Sequence, residues 1–313
     1  MNIILFLLSG ILNVLFIYFL IPLLNNMKLG QHVFELAPES HQKKEGVPTM
    51  GGISFIIITS LLSFLTLGLN QQHVLVIFST ILFGLIGFLD DGAKLLKAEN
   101  KGLSAKQKII LQVIASIIIA YLVGDRGVRV LLPFSKKYIN LGIFYYPFVV
   151  LFMTALTNST NLTDGVDGLL ASVSCVALIF LVLVTKDLYM QDLTRISLIF
   201  MGSLLGYIYY NRFPAKIFMG DTGSMAIGGF IGTLMLLTGT PLFIFFIGFI
   251  YVAESLSVIL QVWSFQTRGK RIFKMSPIHH HYELLGYSEN KIVLVFSAAT
   301  FVGVLVALLA YRI

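Results

Sequence analysis

Charged residues are scarce in this sequence. They make up 12% of its 313 residues, whereas 57% are hydrophobic. A soluble domain carries about 25% charged residues. One soluble core cannot bury so large a share of apolar side chains, so the composition excludes an ordinary soluble globular protein. It favours a chain that is solvated by lipid.

Cysteine is nearly absent. Cys175 is the only one and lies in an apolar run, which excludes an intramolecular disulfide and disfavours thiol catalysis. The chain begins Met-Asn without a basic segment or a small-residue cleavage site, so we expect its first apolar run to be retained as a span. No internal repeat or soluble region is evident, and the sequence predicts one catalytic domain over residues 1–313.

Long apolar runs are what the sequence does contain. A helix needs about 20 mostly apolar residues to cross a bilayer. Such runs occur near residues 3–24, 50–69, 74–89, 107–123, 141–157, 168–185, 194–210, 222–238, 241–263 and 292–311. The sequence therefore predicts an all-α integral membrane protein with ten transmembrane helices. Residues 125–140 alternate around Pro133 and Ser135, which is typical of a small hairpin, here expected on the extracellular side.

The charges are distributed unevenly between the two faces that ten spans create. Fifteen of the 22 lysines and arginines fall on one face. By the positive-inside rule that face is cytoplasmic, and both termini lie outside. Eleven of the 15 acidic residues fall on the same face. Five separate loops thus supply polar groups to one side, which predicts an active-site cleft at the cytoplasmic face. No basic stripe is interleaved with exposed aromatics, as a nucleic-acid site would require.

The third run ends in Asp90, Asp91 and Lys94. Lys94 lies within i+3 or i+4 reach of both aspartates on a helix. Two carboxylates beside a lysine suit a divalent cation and a phosphate. The alternative is a helix end anchored by snorkelling charges, but aspartate is costly at this depth.

A second polar motif precedes the sixth run. Asn158, Asn161, Asp164 and Asp167 recur every three residues. Their amides and carboxylates could bind a nucleobase, a sugar or an anionic group at a helix start. Helix capping and turn formation are the alternative explanation.

The remaining candidates each admit two interpretations. Asp221 is either a helix cap or a metal ligand opposite Asp90 and Asp91, and Phe218 either stacks on a base or belongs to an aromatic belt. The run from His279 to His281 favours phosphate or carboxylate contacts, or a solvated loop. It disfavours zinc, because neighbours in a run do not easily converge on one ion. Glu254 is either paired in the bundle or lines the site.

Together, the motifs at Asp90–Lys94, Asn158–Gly168 and Phe218–Ser224 resemble those of the polyprenyl-phosphate N-acetylhexosamine-1-phosphate transferases, over nearly the whole chain. The segment that begins Pro277-Ile278 and continues with three histidines resembles the phospho-N-acetylmuramoyl-pentapeptide transferase branch of that superfamily. Val47 is a departure, because the family often has threonine there.

The resemblance implies a Mg²⁺-dependent reaction in the bacterial cytoplasmic membrane. Phospho-N-acetylmuramoyl-pentapeptide passes from its UDP donor to undecaprenyl phosphate, giving lipid I and UMP for peptidoglycan synthesis, and so for cell shape and division. Catalytic roles fall to Asp90, Asp91 and Asp221, with Asp221 as the Mg²⁺ ligand. The expected substrate-binding residues are Lys44, Thr49, Lys94, Lys106, Asn158, Asn161, Asp164, Asp167, Asn211, Phe218, Gln261, His279, His280 and His281. Direct attack and a covalent aspartyl-phosphate route both remain open, as does a homodimer.

Three competing functions are less well supported. A relative that uses UDP-N-acetylglucosamine is disfavoured by the histidine run. An ion-coupled transporter would show interrupted helices or inverted repeats with acids near the midplane, whereas these acids follow helix ends on one side. A CDP-alcohol phosphotransferase requires its own aspartate-rich motif, which this sequence lacks.

Overall fold

The computed structural model describes residues 2–27, 46–97, 102–124 and 128–313. Short 3-10 turns lie at Gly142–Phe144 and Pro241–Phe243. The elements are α1 (Asn2–Asn26), α2 (Ile53–Leu67), α3 (Gln71–Lys97), α4 (Ala105–Val123), β1 (Arg129–Leu131), β2 (Tyr138–Asn140), α5 (Tyr145–Thr163), α6 (Leu169–Asp187), α7 (Gln191–Asn211), α8 (Gly220–Leu237), α9 (Ile244–Ile247), α10 (Phe249–Arg268), α11 (Ile278–Glu283) and α12 (Glu289–Arg312).

The described residues form an almost entirely helical membrane protein. Seven helices in this part of the chain are long and apolar enough to cross a bilayer, or eight if the pair α9 and α10 is one span. Every predicted run overlaps a helix. Two of these helices are not long and apolar enough to be counted as spans. Helix α2 has only 15 residues, and α8 includes the polar start Gly220-Asp221. Ten crossings therefore stay a prediction.

The apolar run at 74–89 continues through Asp90, Asp91 and Lys94 in one helix, α3, which ends at Lys97. Two predicted boundaries were wrong. The segment from 158 was expected to be a loop, yet α5 reaches Thr163. The run at 241–263 is two helices bent by 84° at Gly248, where the missing side chain leaves room for Ile244 and Tyr251.

The predicted hairpin is present. Its strands β1 and β2 pair antiparallel, with Val130 opposite Ile139. The amide of Leu131 donates to the carbonyl of Gly239 (2.8 Å), and the amide of Phe134 donates to that of Ala310 (2.8 Å). These bonds fix the hairpin to the end of α8 and the end of α12. Its extracellular location stays a prediction.

Close packing of α3 against α8 places the functional motifs together. A Cβ on Gly87 would collide with the carbonyl of Asp221, so the two backbones touch. Further along the same pair, Ser79 donates to the carbonyl of Gly229 (3.1 Å) and accepts from the hydroxyl of Thr233 (2.7 Å). Every residue of α8 from Thr222 to Leu237 is buried. This helix is therefore the central element against which the site is built.

Candidate active site

Three carboxylates converge where α3 meets the start of α8. One carboxylate oxygen from each of Asp90, Asp91 and Asp221 lies within 4.8 Å of the others. Asp90 and Asp91 are both buried, at 3% exposure. Asp221 is 130 residues away from Asp91 in the chain. The predicted grouping of these acids is therefore present in the structure.

Asp91 caps the N-terminus of α8 from a neighbouring helix. Its carboxylate accepts hydrogen bonds from the amide of Asp221 (3.1 Å), the amide of Thr222 (2.9 Å) and the hydroxyl of Thr222 (2.7 Å). Helix N-termini leave amides without intrahelical partners and favour negative charge. Met219, at the N-cap position, makes no side-chain cap bond. Asp91 therefore fixes the start of α8, and with it the position of Asp221.

Two lysines hold the three acids together. Nζ of Lys94 lies 2.7 Å from Asp90 Oδ2 and 3.0 Å from Asp221 Oδ2. Nζ of Lys108 lies 2.5 Å from the same oxygen of Asp221 and 3.6 Å from Asp90 Oδ2. Two ammonium groups thus balance two of the three carboxylates. The cluster keeps one negative charge in excess when all five groups are ionised.

Lys108 is a site residue that the sequence analysis missed, whereas the predicted substrate contact of Lys106 stays a prediction. Lys106 is exposed on α4. Residues two apart on a helix point about 200° away from each other, so only one of the two lysines can face α3. A signal was available: Lys108 lies one turn before Gln112 on a polar stripe of α4, and Gln112 accepts a hydrogen bond from Asn158.

The two asparagines of α5 serve different partners. Nδ2 of Asn161 donates to Asp221 Oδ1 (2.7 Å) and to the hydroxyl of Ser224 (2.9 Å), so Asn161 belongs to the acidic cluster. Nδ2 of Asn158 donates instead to Gln112 Oε1 (2.8 Å) and to the carbonyl of Thr154 (2.8 Å), which ties α5 to α4.

Asp164 and Asp167 lie in the turn between α5 and α6. Burial, together with the negative charges of Asp221, Asp91 and Asp167, raises the pKa of Asp164 to about 8. The Asp167 carboxylate accepts from the amide of Ala215 (2.9 Å). Its own amide donates to Glu289 Oε2 (3.0 Å), and this contact of Glu289 was not anticipated.

Asn211 fastens the same turn to the segment before α8. Its Oδ1 accepts from the amide of Gly168 (3.0 Å), and its Nδ2 donates to the carbonyl of Ile217 (2.8 Å). Both ends of the amide are used, and the side chain is buried at 3% exposure. Asn211 therefore fixes the backbone at Gly168 and Ile217, next to the site.

The segment from Pro48 to Gly51 pairs with Phe218. The amide of Phe218 donates to the carbonyl of Pro48 (2.8 Å), and its carbonyl accepts from the amide of Gly51 (2.8 Å). The Phe218 ring is half-buried. A Cβ on Gly220 would lie 3.0 Å from Thr49 Oγ1, which puts Thr49 beside the acidic cluster. Lys44 lies outside the described residues.

The histidine run is split among different environments. His279 is 1% exposed and contacts Glu254, so the open question about Glu254 is answered: it is paired in the bundle. His280 Nδ1 lies 2.6 Å from Glu283 Oε2, and His281 Nδ1 accepts from the amide of Lys274 (3.1 Å). Both of these rings are half-buried.

The amide of Gln261 binds backbone groups, and its contact with substrate stays a prediction. Its Nε2 donates to the carbonyl of Phe273 (2.9 Å), and its Oε1 accepts from the amides of Ile272 (3.0 Å) and Phe273 (2.9 Å). These three backbone bonds fold the segment after α10 against that helix.

Comparison with known proteins agrees with this arrangement. The family model described as glycosyl transferase family 4 matches residues 73–239, a range that contains all three carboxylates. The chain is similar to the phospho-N-acetylmuramoyl-pentapeptide-transferase of Clostridium botulinum (strain Alaska E43 / Type E3), with 46% identity over 93% of this chain and 90% of the relative.

Two further relatives bear the same name. The protein of Clostridium novyi (strain NT) is 44% identical over 93% of this chain and 91% of its own length. That of Clostridium perfringens (strain 13 / Type A) is 44% identical over 92% of both chains. The chain is therefore a bacterial multi-pass membrane protein that belongs to glycosyl transferase family 4 and, within it, to the phospho-N-acetylmuramoyl-pentapeptide transferases.

Proposed function

We propose that the protein transfers phospho-N-acetylmuramoyl-pentapeptide from its UDP donor to undecaprenyl phosphate, forming lipid I and UMP. The observation that carries the proposal is the cluster of Asp90, Asp91, Asp221, Lys94 and Lys108. Relatives that are 44–46% identical to this chain are named phospho-N-acetylmuramoyl-pentapeptide-transferase. Phosphoryl transfer depends mainly on positioning and charge neutralisation, which such a cluster is suited to provide.

Mg²⁺ fits this cluster. An octahedral Mg²⁺ has oxygen ligands about 3 to 4 Å apart, and the three acids offer oxygens within 4.8 Å of one another. Oδ2 of Asp221 and Oδ2 of Asp90 would hold the ion, because they face the side chains of Lys94 and Lys108, which phosphates would draw away. Both oxygens of Asp91, in contrast, accept bonds from the backbone of α8. When bound, Mg²⁺ would neutralise charge on the phosphates.

Each side chain of the site would have its own role in the transfer. Lys94 and Lys108 would bind phosphate oxygens and oppose the repulsion between the donor and the lipid phosphate. An oxygen of the lipid phosphate attacks the β-phosphorus of the donor, and the bond to the bridging oxygen breaks, so UMP leaves with that oxygen. Asp90 would orient the attacking phosphate. The second pKa of a phosphate monoester is about 6, so the attacking dianion is abundant at neutral pH. A strong base is not required, and direct attack is favoured over a covalent intermediate.

The donor's uridine and diphosphate would lie between the Asp164–Asp167 turn and Phe218. Phe218 is half-buried, which leaves part of the ring free to stack on a base. His280 and His281 are half-buried and could contact the donor sugar or diphosphate. Asn161 would act through Asp221, whose Oδ1 it holds at 2.7 Å.

We further propose ten crossings, with the site facing the cytoplasm and both termini outside. Single cysteines at Lys216 and Lys137, both exposed, would test this in a Cys175→Ala background. An impermeant maleimide should label the Lys137→Cys protein in intact cells, but the Lys216→Cys protein only after permeabilisation. The reverse pattern would overturn the topology.

UMP release by the purified protein tests the proposed reaction. Undecaprenyl phosphate is supplied with either the muramoyl-pentapeptide donor or UDP-N-acetylglucosamine, with and without Mg²⁺. We expect turnover with the first donor only, dependence on Mg²⁺, and a loss of at least about a hundredfold in Asp221→Asn. Turnover with UDP-N-acetylglucosamine and not with the muramoyl-pentapeptide donor would show that the protein has the activity of the competing relative. Unchanged activity of Asp221→Asn would overturn the role of the acid.

A further inference from the structure

Glu254 and His279 form a buried pair outside the acidic cluster. Glu254 lies in α10 with 0% exposure, and His279 lies in α11 with 1% exposure. His279 Nδ1 is 3.1 Å from Glu254 Oε1, and the amide of His279 donates to Oε2 at 3.4 Å. The carboxylate therefore contacts both the ring and the backbone of this histidine.

The other edge of the His279 ring lies against the turn between α5 and α6. A Cβ on Gly165 would collide with His279 Nε2, so the ring fills the space that the glycine leaves open. Gly165 stands beside Asp164 and two residues before Asp167. Nε2 is buried and makes no hydrogen bond to any residue that the structure describes.

A packing role alone does not account for this pair. A buried acid and a buried imidazole both lose solvation, and apolar residues of similar volume commonly stabilise a core as well or better. What the carboxylate adds is position: one oxygen accepts from the amide of His279 and the other lies 3.1 Å from Nδ1, so Glu254 limits where the ring can lie.

We propose that Glu254 is a positioning residue that acts through His279 to hold the Asp164–Asp167 turn in the conformation that binds the uridine nucleotide of the donor. The inference rests on the proposed function. Loss of the carboxylate on one side of the ring, or a methyl group on Gly165 on the other side, would move the ring and so displace the same turn.

Two substitutions and their combination test the inference. Glu254→Gln keeps the size of the side chain, but it removes the charge and one of the two oxygens that contact His279. Gly165→Ala pushes on the ring from the opposite edge. Asp192→Asn is the matched control, because Asp192 pairs with Arg195 at the far end of α7. Binding of UMP with Mg²⁺ is measured by calorimetry, and KM is measured separately for the donor and for undecaprenyl phosphate.

We expect each single variant to weaken UMP binding and to raise the donor KM by at least about tenfold, with the KM of the lipid unchanged. The double variant should lose less than the product of the two effects, because both act on one ring. Asp192→Asn should match the wild type.

Other outcomes would overturn either the positioning role of Glu254 or the proposed function. A lower kcat with both KM values and UMP affinity unchanged would show a smaller folded fraction and would overturn the positioning role. Independent, multiplicative effects would overturn the shared path through His279. If the wild-type protein itself bound no UMP, the proposed function would fail instead.

Discussion

The carboxylate of Asp91 accepts a hydrogen bond from the backbone amide of Asp221 at 3.1 Å. One acid of the cluster therefore holds the helix that carries another. Asp90, its neighbour in sequence, accepts from the amide of Leu103 (2.9 Å) and from Lys94 instead. Adjacent aspartates on α3 thus have different tasks: Asp91 fixes the frame, and Asp90 faces the two lysines.

Asp91→Asn should lower stability more than Asp90→Asn does. An asparagine at 91 turns an NH₂ group toward amide donors of α8, which leaves buried donors unpaired at a cost of about 1–3 kcal/mol. Asp90→Asn keeps one acceptor for Leu103. We expect both variants to lose activity, but only Asp91→Asn to melt several degrees lower. Equal melting temperatures would contradict the capping role.

Lys108→Gln should abolish most activity, and Lys106→Gln should not. Of these two lysines, Lys108 reaches Asp221 and Asp90, whereas Lys106 is exposed. Removing a charge-stabilising donor from an active site costs about 100- to 1,000-fold in rate. UMP release from the two variants gives a matched comparison, since both substitutions remove one positive charge from α4. A larger loss in Lys106→Gln would refute the assignment.

Gly220→Ala should damage both stability and turnover. Gly220 has φ +72°, a conformation that L-residues rarely adopt, and a Cβ there would lie 2.5 Å from Asp91 Oδ2. The methyl group would displace the cap of α8. Gly92→Ala is a suitable control, because a Cβ on Gly92 meets nothing within 4 Å. Similar melting curves and rates for the two variants would show that the cap tolerates displacement.

Asp164→Asn should stabilise the metal-free protein at high pH. The pKa of Asp164 is raised from 3.8 to about 8, so the folded state favours the protonated acid. Stability is therefore lost as pH rises from about 4 to about 8, because over this range the acid ionises in the unfolded state while the folded state keeps it protonated. The asparagine variant escapes this loss.

Melting temperatures between pH 5 and pH 9, measured in EDTA, should show a gain for Asp164→Asn that grows with pH and levels off above about pH 8. A gain that does not vary with pH would mean that ionisation of Asp164 is not its cause. Its activity should fall, if Asp164 contacts the donor as proposed.

Much of the site could be predicted because its motifs are local. The Asp90–Lys94 and Phe218–Ser224 motifs each lie at one end of an apolar run, and topology alone brings those ends to one face. The hairpin could be predicted too, since alternation around Pro133 is a short-range signal.

The remaining features depend on tertiary contacts. Choosing Lys108 over Lys106 requires the rotation of α4 about its axis, which composition does not reveal. Gln261 and Asn158 are polar and near the motifs, but backbone and Gln112 take their hydrogen bonds. The backbone partners of the two aspartates, on α8 for Asp91 and at Leu103 for Asp90, also lie too far away in the chain for a local motif to indicate them.

Binding of Mn²⁺, a paramagnetic substitute for Mg²⁺, tests most directly the claim that acids from two helices far apart in the chain form one cation site. Electron paramagnetic resonance of the purified protein counts the bound ions. The account predicts one bound ion per chain in the wild type and in Asp192→Asn, and weakened binding in Asp90→Asn. Asp221→Asn should bind none. Equal binding by Asp221→Asn and the wild type would contradict it.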